Sequence, residues 1–208
     1  MSGIITNDFS NFEKSLYSYD YDTEPNAWWN DADIDSFVEY FILNEFICNY
    51  EVGARSTYVY KNLQGKFKMC MWDLNTCCGN MVVRDPMHFE MQYLTWYYML
   101  SKDERFVNRL IDRYRDLRTT YLSEDYLNQY IDDVVAWLGP AIDRNFQVWG
   151  YTFETFTPLR PMNRNPADYD EAIFQLKDFI HTRGTWMDEN IEILLQYCHE
   201  SKIKKFNH

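Results

Sequence analysis

Glycine and proline are scarce, at seven and six in 208 residues, while aromatic residues reach 18%. Disordered and low-complexity chains show the opposite balance, so that class is excluded. Cations are also short: 20 Lys and Arg stand against 32 Asp and Glu, a formal charge of −12. Broad electrostatic binding to DNA, RNA or anionic lipid needs a cationic face and is therefore not expected. A local cluster, Lys202, Lys204 and Lys205, reads as a solvated tail. No run of about 18 apolar residues is present, so no transmembrane helix is expected. The start, M-S-G-I-I-T-N-D-F, lacks the cationic opening and apolar core of a signal peptide.

Several ready-made sites are missing too. The five cysteines, Cys48, Cys70, Cys77, Cys78 and Cys198, contain no C-x-x-C and cannot all pair. They are expected as free, mostly buried thiols, the adjacent Cys77 and Cys78 included, since neighbours bridge only with strain. His88, His181, His199 and His208 are scattered without zinc-ligand spacing, and no structural metal is expected. There is no G-x-x-x-x-G-K, no G-x-G-x-x-G, and Asp73 is not followed by Phe-Gly.

What the chain does have is apolar periodicity. With 46% hydrophobic residues it can bury a substantial core, and one compact domain over residues 1–208 is expected, α+β and predominantly helical. Phe9, Phe12, Leu16 and Tyr19 predict a helix within 5–19, followed by a loop over 20–30 that Trp28-Trp29 pins to the core. Asp33 reads as the N-cap of a helix with the stripe Ile34, Phe37, Val38, Phe41, Ile42, Phe46 and Ile47. Asn44 and Glu45 in that helix are expected on a solvated face. Gly53 permits a left-handed turn, Ser56–Tyr60 and Lys66–Trp72 read as two strands, and Asn62–Gly65 closes the hairpin.

Beyond Gly79 the pattern is helical. Asp85-Pro86 is expected to open a helix to about Leu100, and Ser101 to Glu104 to form a capping box. The next helix carries Phe106, Val107, Leu110, Ile111, Tyr114 and Leu117. Ser123 starts another with Tyr126, Leu127, Tyr130, Ile131, Val134, Val135 and Leu138, broken by Gly139-Pro140. After a loop over 150–165, Asn165-Pro166 is expected to cap a helix that stops at Gly184, with a last helix opening at Thr185–Asp188.

Chemistry is most readily placed in the turn and the strand end. Phosphoryl transfer needs a carboxylate for the hydroxyl proton, another to hold magnesium against the phosphates, and cations to offset charge. Glu51 follows the core helix, Asp73 ends the hairpin, and a hairpin can bring the two together, with Arg55 and Lys61 nearby. By itself an acidic pair of this kind is a weak signal, since acidic residues in turns are more often ordinary surface carboxylates.

A resemblance sharpens this. The run D-I-D-S-F-V-E-Y-F-I-L-N-E-F, then N-Y-E, S-T-Y-V-Y-K, G-K-F-K-M and W-D-L-N, is similar in order and spacing to the central block of the CotH kinase family, spore-coat-type atypical protein kinases. The later R-D-L-R, Y-I-D, R-N-x-x-x-W and L-K-D-F-I-x-x-R-G-T-W-M fit as well, so the likeness extends from Phe12 across the chain. It implies the helical lobe of an atypical kinase-like fold beside a small antiparallel hairpin, and ATP and magnesium as cofactors. It also implies Glu51 in the catalytic position, Asp73 on the magnesium-binding aspartate, Asn75 as a neighbouring ligand and Trp72 against the nucleotide, although Trp72 reads at least as well as an ordinary core residue. A protein substrate phosphorylated on Ser or Thr, and a spore-coat or cell-envelope setting, follow from the same likeness.

Two residues depart from the pattern. Glu51 is one methylene longer than the family aspartate, and displacement on that scale can cost on the order of 100-fold in rate. Asn75 stands where a second acid is frequent. Family members also carry a preceding lobe with an R-G-N-like turn and a lysine-bearing strand that contact nucleotide, and nothing in residues 1–32 resembles it. The chain is accordingly expected to be a carboxyl-terminal lobe, inactive by itself; the alternative is a kinase-like binding or structural module without catalysis.

Overall fold

The computed structural model describes residues 2–80, 85–155 and 165–198. Its elements in order are α1 (Ser2–Tyr17), α2 (Ile34–Phe46), β1 (Tyr58–Tyr60), β2 (Lys68–Cys70), α3 (Tyr97–Leu100), α4 (Glu104–Arg118), α5 (Glu124–Leu138), α6 (Pro140–Trp149), α7 (Thr152–Thr155) and α8 (Tyr169–Asn190). Short 3-10 turns cover Trp28–Asn30, Met91–Tyr93 and Ile191–Tyr197. The protein is mostly helical, with one two-stranded antiparallel sheet in which Tyr58 pairs with Cys70 and Tyr60 with Lys68.

Helix α2 is the centre of the core. Its amino end is fixed by Asp33, whose carboxylate accepts from the Ser36 N–H at 3.0 Å. Phe37, Val38, Phe41, Ile42 and Phe46 are buried and pack against α4, whose Phe106, Val107, Leu110, Ile111, Tyr114 and Leu117 are all buried as expected. Trp28 does pin its loop: fully buried, it donates from Nε1 to Asp103 Oδ2 at 2.9 Å. Asp103 also caps α4 through the Arg105 N–H, so one carboxylate joins the loop to the helix. Burial pushes the Asp103 carboxyl above its ordinary range, and the bonds from Trp28 and Arg105 oppose that rise. The cap is thus Asp103, inside the expected capping box, while Ser101 ends α3.

Several sequence expectations fail, each for a physical reason. Asn44 and Glu45 are buried, at 1% and 3% exposure: Glu45 forms an ion pair with the fully buried Arg183 at 2.8 Å, and Asn44 is bonded to the Tyr40 carbonyl and to Asn49. Arg183 also donates from Nε to the Glu45 carbonyl and from Nη1 to the carbonyls of Pro86 and His88, and packs over Trp186. The same pair explains why 85–100 is not one helix. Glu45 Oε1 accepts the N–H groups of Glu90 and Met91 while Arg183 takes two carbonyls, so those backbone groups are spent on the ion pair rather than on helical bonds.

Gly184, expected to stop a helix, lies inside α8, which runs unbroken to Asn190. A Cβ there would meet Arg118 Nη2 at 2.9 Å, so this glycine serves a close approach of two elements. Helix α8 is capped by Asp168, which accepts from the Glu171 N–H, two residues beyond the expected Asn165-Pro166. Gly139, at φ +45°, does separate α5 from α6, with Pro140 in the first turn of the latter. The expected loop over 150–165 contains α7; its residues 156–164, like Lys202, Lys204 and Lys205, lie outside the described residues. The five cysteines are free, with Cys48 and Cys77 buried. No helix among the described residues is long and apolar enough to cross a membrane.

Candidate functional site

Helix α2 ends in a buried ladder of amides. Asn44 Nδ2 donates to the Tyr40 carbonyl at 2.8 Å, and its Oδ1 accepts from Asn49 Nδ2 at 2.8 Å. Asn49, 2% exposed, then turns its Oδ1 to the Glu51 N–H at 3.2 Å and the Thr76 hydroxyl at 3.4 Å. Because each buried amide has its donor and acceptor committed, the orientation of the turn that carries Glu51 is set by α2 itself. The turn closes through bonds from the Ala54 and Arg55 N–H groups to the Glu51 carbonyl, and Gly53, at φ +77°, sits against Leu94.

Asp73 is presented from the other side. After β2 the chain passes Trp72 and enters the left-handed region at Asp73, φ +56°, a conformation that Asp tolerates better than most residues. The next loop folds back on α2: Thr76 is buried against Asn49, and the Cys78 N–H donates to the Ile47 carbonyl at 2.7 Å.

The two carboxylates meet at a third residue. The Ser56 hydroxyl lies 3.3 Å from Glu51 Oε2 and 3.4 Å from Asp73 Oδ2, so one short side chain spans both. Arg55 Nη1 is 3.9 Å from Glu51, whereas Lys61 is paired with Asp8 at 2.9 Å and packs over Phe67. Trp72 is 61% exposed and meets Tyr58 edge-on at 5.9 Å, so its ring is a surface feature and not core. Asn75 is exposed, and its carbonyl accepts from Asn80 Nδ2 at 2.7 Å. Beside it a cleft of about 350 Å³ is lined by Leu74, Asn75, Cys78, Asn80, Pro166 and Leu176. Burial pushes the Cys77 and Cys78 thiols up to about 12, so both stay protonated near neutral pH and are poor nucleophiles. A larger cleft, about 460 Å³, lies along α2 and α4, but its Asp35, Glu39, Arg109 and Arg113 are engaged in ion pairs with one another.

Sequence reasoning singled out Glu51, Asp73, Trp72 and Asn75 and passed over Ser56, Asn49, Thr76 and Asn44. A signal existed for Asn44, which falls three residues after Phe41 on the continuation of the apolar stripe, where a polar side chain has to be paired. Ser56 and Thr76 carried none, since small hydroxyl residues in turns are common.

Magnesium is commonly held by one or two carboxylates, with waters and substrate phosphates completing its shell. The pair at Ser56 fits that donor set. It does not fit a metal held by protein alone, because no group of three Asp, Glu, His or Cys side chains converges among the described residues.

Comparisons with curated proteins and with solved structures each return no match. A family model does: the model described as CotH kinase protein covers residues 6–187, which include α2, the hairpin, the Glu51 turn, the Asp73 loop and the Arg183 ion pair. The chain therefore belongs to the CotH kinase family.

Proposed function

We propose that this chain is the helical, carboxyl-terminal lobe of a magnesium- and ATP-dependent protein kinase acting on Ser or Thr, and that it transfers no phosphate by itself. The convergence of Glu51 and Asp73 on the Ser56 hydroxyl carries this reading. Asp73 would hold the magnesium with the help of Asn75, and the metal would offset the charge of the phosphates. Glu51 would accept the proton of the acceptor hydroxyl, standing where Ser56 now occupies its oxygen. Trp72 offers an exposed ring for a nucleotide base to stack on. Two cations near the hairpin are already engaged, Lys61 with Asp8 and Lys68 with Asp33. Arg55 is left as the exposed cation beside Glu51; charge compensation beyond it is assigned to a partner lobe, which is why the chain alone is expected to be silent.

A second reading, a kinase-like module that binds a coat or envelope partner without catalysis, is favoured by the longer Glu51 and the neutral Asn75. Calorimetric titration of Mg·ATP, on this chain and on any longer parent, separates the two. The kinase reading expects saturable binding that is lost in Asp73→Asn at an unchanged melting temperature. Asn is the suitable replacement because it tolerates φ +56°, where Ala would add roughly 1 kcal/mol of strain. Identical traces for wild type and variant would leave the non-catalytic module. Radiolabel incorporated into a Ser/Thr peptide by the chain alone, above a heat-killed control, would contradict its silence.

A further inference from the structure

The two loops that bear Glu51 and Asp73 come from opposite ends of the hairpin, and something must fix how far apart their carboxylates stand. Two of the connections between the loops lie below the carboxylates. One is the backbone bond from Cys78 to Ile47, which sets the loops side by side but touches neither the Glu51 turn nor the stretch just after Asp73. The other is Asn49. Its single Oδ1 accepts from the Glu51 N–H and from the Thr76 hydroxyl, three residues beyond Asp73, while its Nδ2 is held by Asn44 of α2.

The geometry points to Asn49 as the positioning residue that sets the spacing of the Glu51 and Asp73 carboxylates. It acts through the Glu51 turn on one side and through Thr76 on the other. The consequence for binding rests on the reading of the pair as a magnesium–nucleotide site; the coupling of the two loops does not. Asn49 and Thr76 are both 2% exposed, so neither touches a ligand. Their effect has to be transmitted. With Asn49 in place, the pair is organised before ligand arrives and less ordering is left to the binding step.

Thr76 supplies the decisive test, because its hydroxyl and its methyl can be removed separately. Thr76→Val keeps the buried volume and loses the bond to Asn49. Thr76→Ser keeps the bond and loses a buried methyl. If the role is positioning, Val accelerates amide exchange at Cys77, whose N–H closes the 74–77 turn, by roughly three- to tenfold with little change in melting temperature. Ser then lowers the melting temperature and leaves that exchange near the wild-type rate. Asn49→Ala accelerates exchange at Glu51 and Cys77 together.

The opposite order, in which Ser exchanges faster than Val and exchange simply follows melting temperature, overturns the proposal. So does Asn49→Ala changing Glu51 alone. Calorimetry with Mg·ATP on the same proteins reports on the functional reading separately. A wild type that gives no binding heat sinks that reading and leaves the exchange result to decide the role of Asn49. A wild type that binds, with Thr76→Val binding equally tightly, overturns the positioning role; a several-fold weaker Val beside an unchanged Ser supports it.

Discussion

Helices α4 and α5 are nearly twins in sequence terms and opposites in the fold. Each runs 15 residues, each opens on a side-chain cap, Asp103 or Ser123, and each repeats apolar residues at steps of three and four. Yet α4 buries its entire stripe and α5 buries none of its residues. The difference lies in the neighbours. Helix α4 packs against α2, whose own apolar side is buried with it. Helix α5 contacts α8 and packs only the half-buried Leu127 and Ile131 against the core, while Tyr126, Tyr130 and Trp137 stand exposed, Trp137 at 83%. An amphipathic period thus states which face would gain from cover. The gain of roughly 25 cal/mol per Å² is realised only where another element supplies that cover.

The largest expected effect lies on the well-covered side. Arg183→Leu leaves the Glu45 carboxylate buried without its partner, and losing one member of such a pair costs about 3–5 kcal/mol. Chemical denaturation measures it directly. Replacing both residues, Glu45→Met with Arg183→Leu, restores part of the loss. Full recovery is not expected, because the N–H groups of Glu90 and Met91 lose their acceptor as well. A single variant within about 1 kcal/mol of wild type would mean that the α2–α8 junction is far less stringent than the burial of Arg183 implies.

The twin helices can be set against each other next. Leu110→Ala in α4 removes a 1%-exposed side chain and should cost about 2–5 kcal/mol, whereas Trp137→Ala in α5 should stay within about 0.5 kcal/mol. Equal losses at the two positions would show that α5 is as well covered in solution as α4, and the contrast would fall.

The same contrast explains what could be read from the chain. Helices α2, α4 and α5, the caps at Asp33 and Ser123, and the hairpin turn follow from local chemistry, which sequence displays. The segment before α3 has a helical pattern but no helix over its length, because its backbone is organised by Glu45 and Arg183, 138 residues apart and meaningful only as a pair. Gly184 looked like a terminator because a glycine needed for the approach of Arg118 is indistinguishable, in one sequence, from a helix stop. For the candidate site, resemblance supplied Glu51 and Asp73. Their common contact, Ser56, and the amide ladder beneath them depend on how the loops fold back, which no periodicity records.

The smallest effect concerns the attachment of α5 to α8, where two ion pairs stand in for apolar cover: Lys177 with Asp132, and His181 with Glu124 at 2.9 Å. The hydrogen bond to Glu124 raises the His181 pKa above its ordinary 6.5, so the protonated imidazole is the form the folded state favours. For a group whose pKa is higher folded than unfolded, the stabilisation is complete below the unfolded value. It fades as pH rises through the folded one. His181 is an exposed surface residue, so the effect should be local and confined to α5. Amide exchange in α5, corrected for the intrinsic base-catalysed rate, should lose protection as pH climbs from about 6 to 8, while α4 keeps its own. His181→Gln should flatten that dependence. An equal pH response in α4 and α5 would assign the change to the whole fold instead, and would show that the weakly covered helix is held by more than its charged contacts.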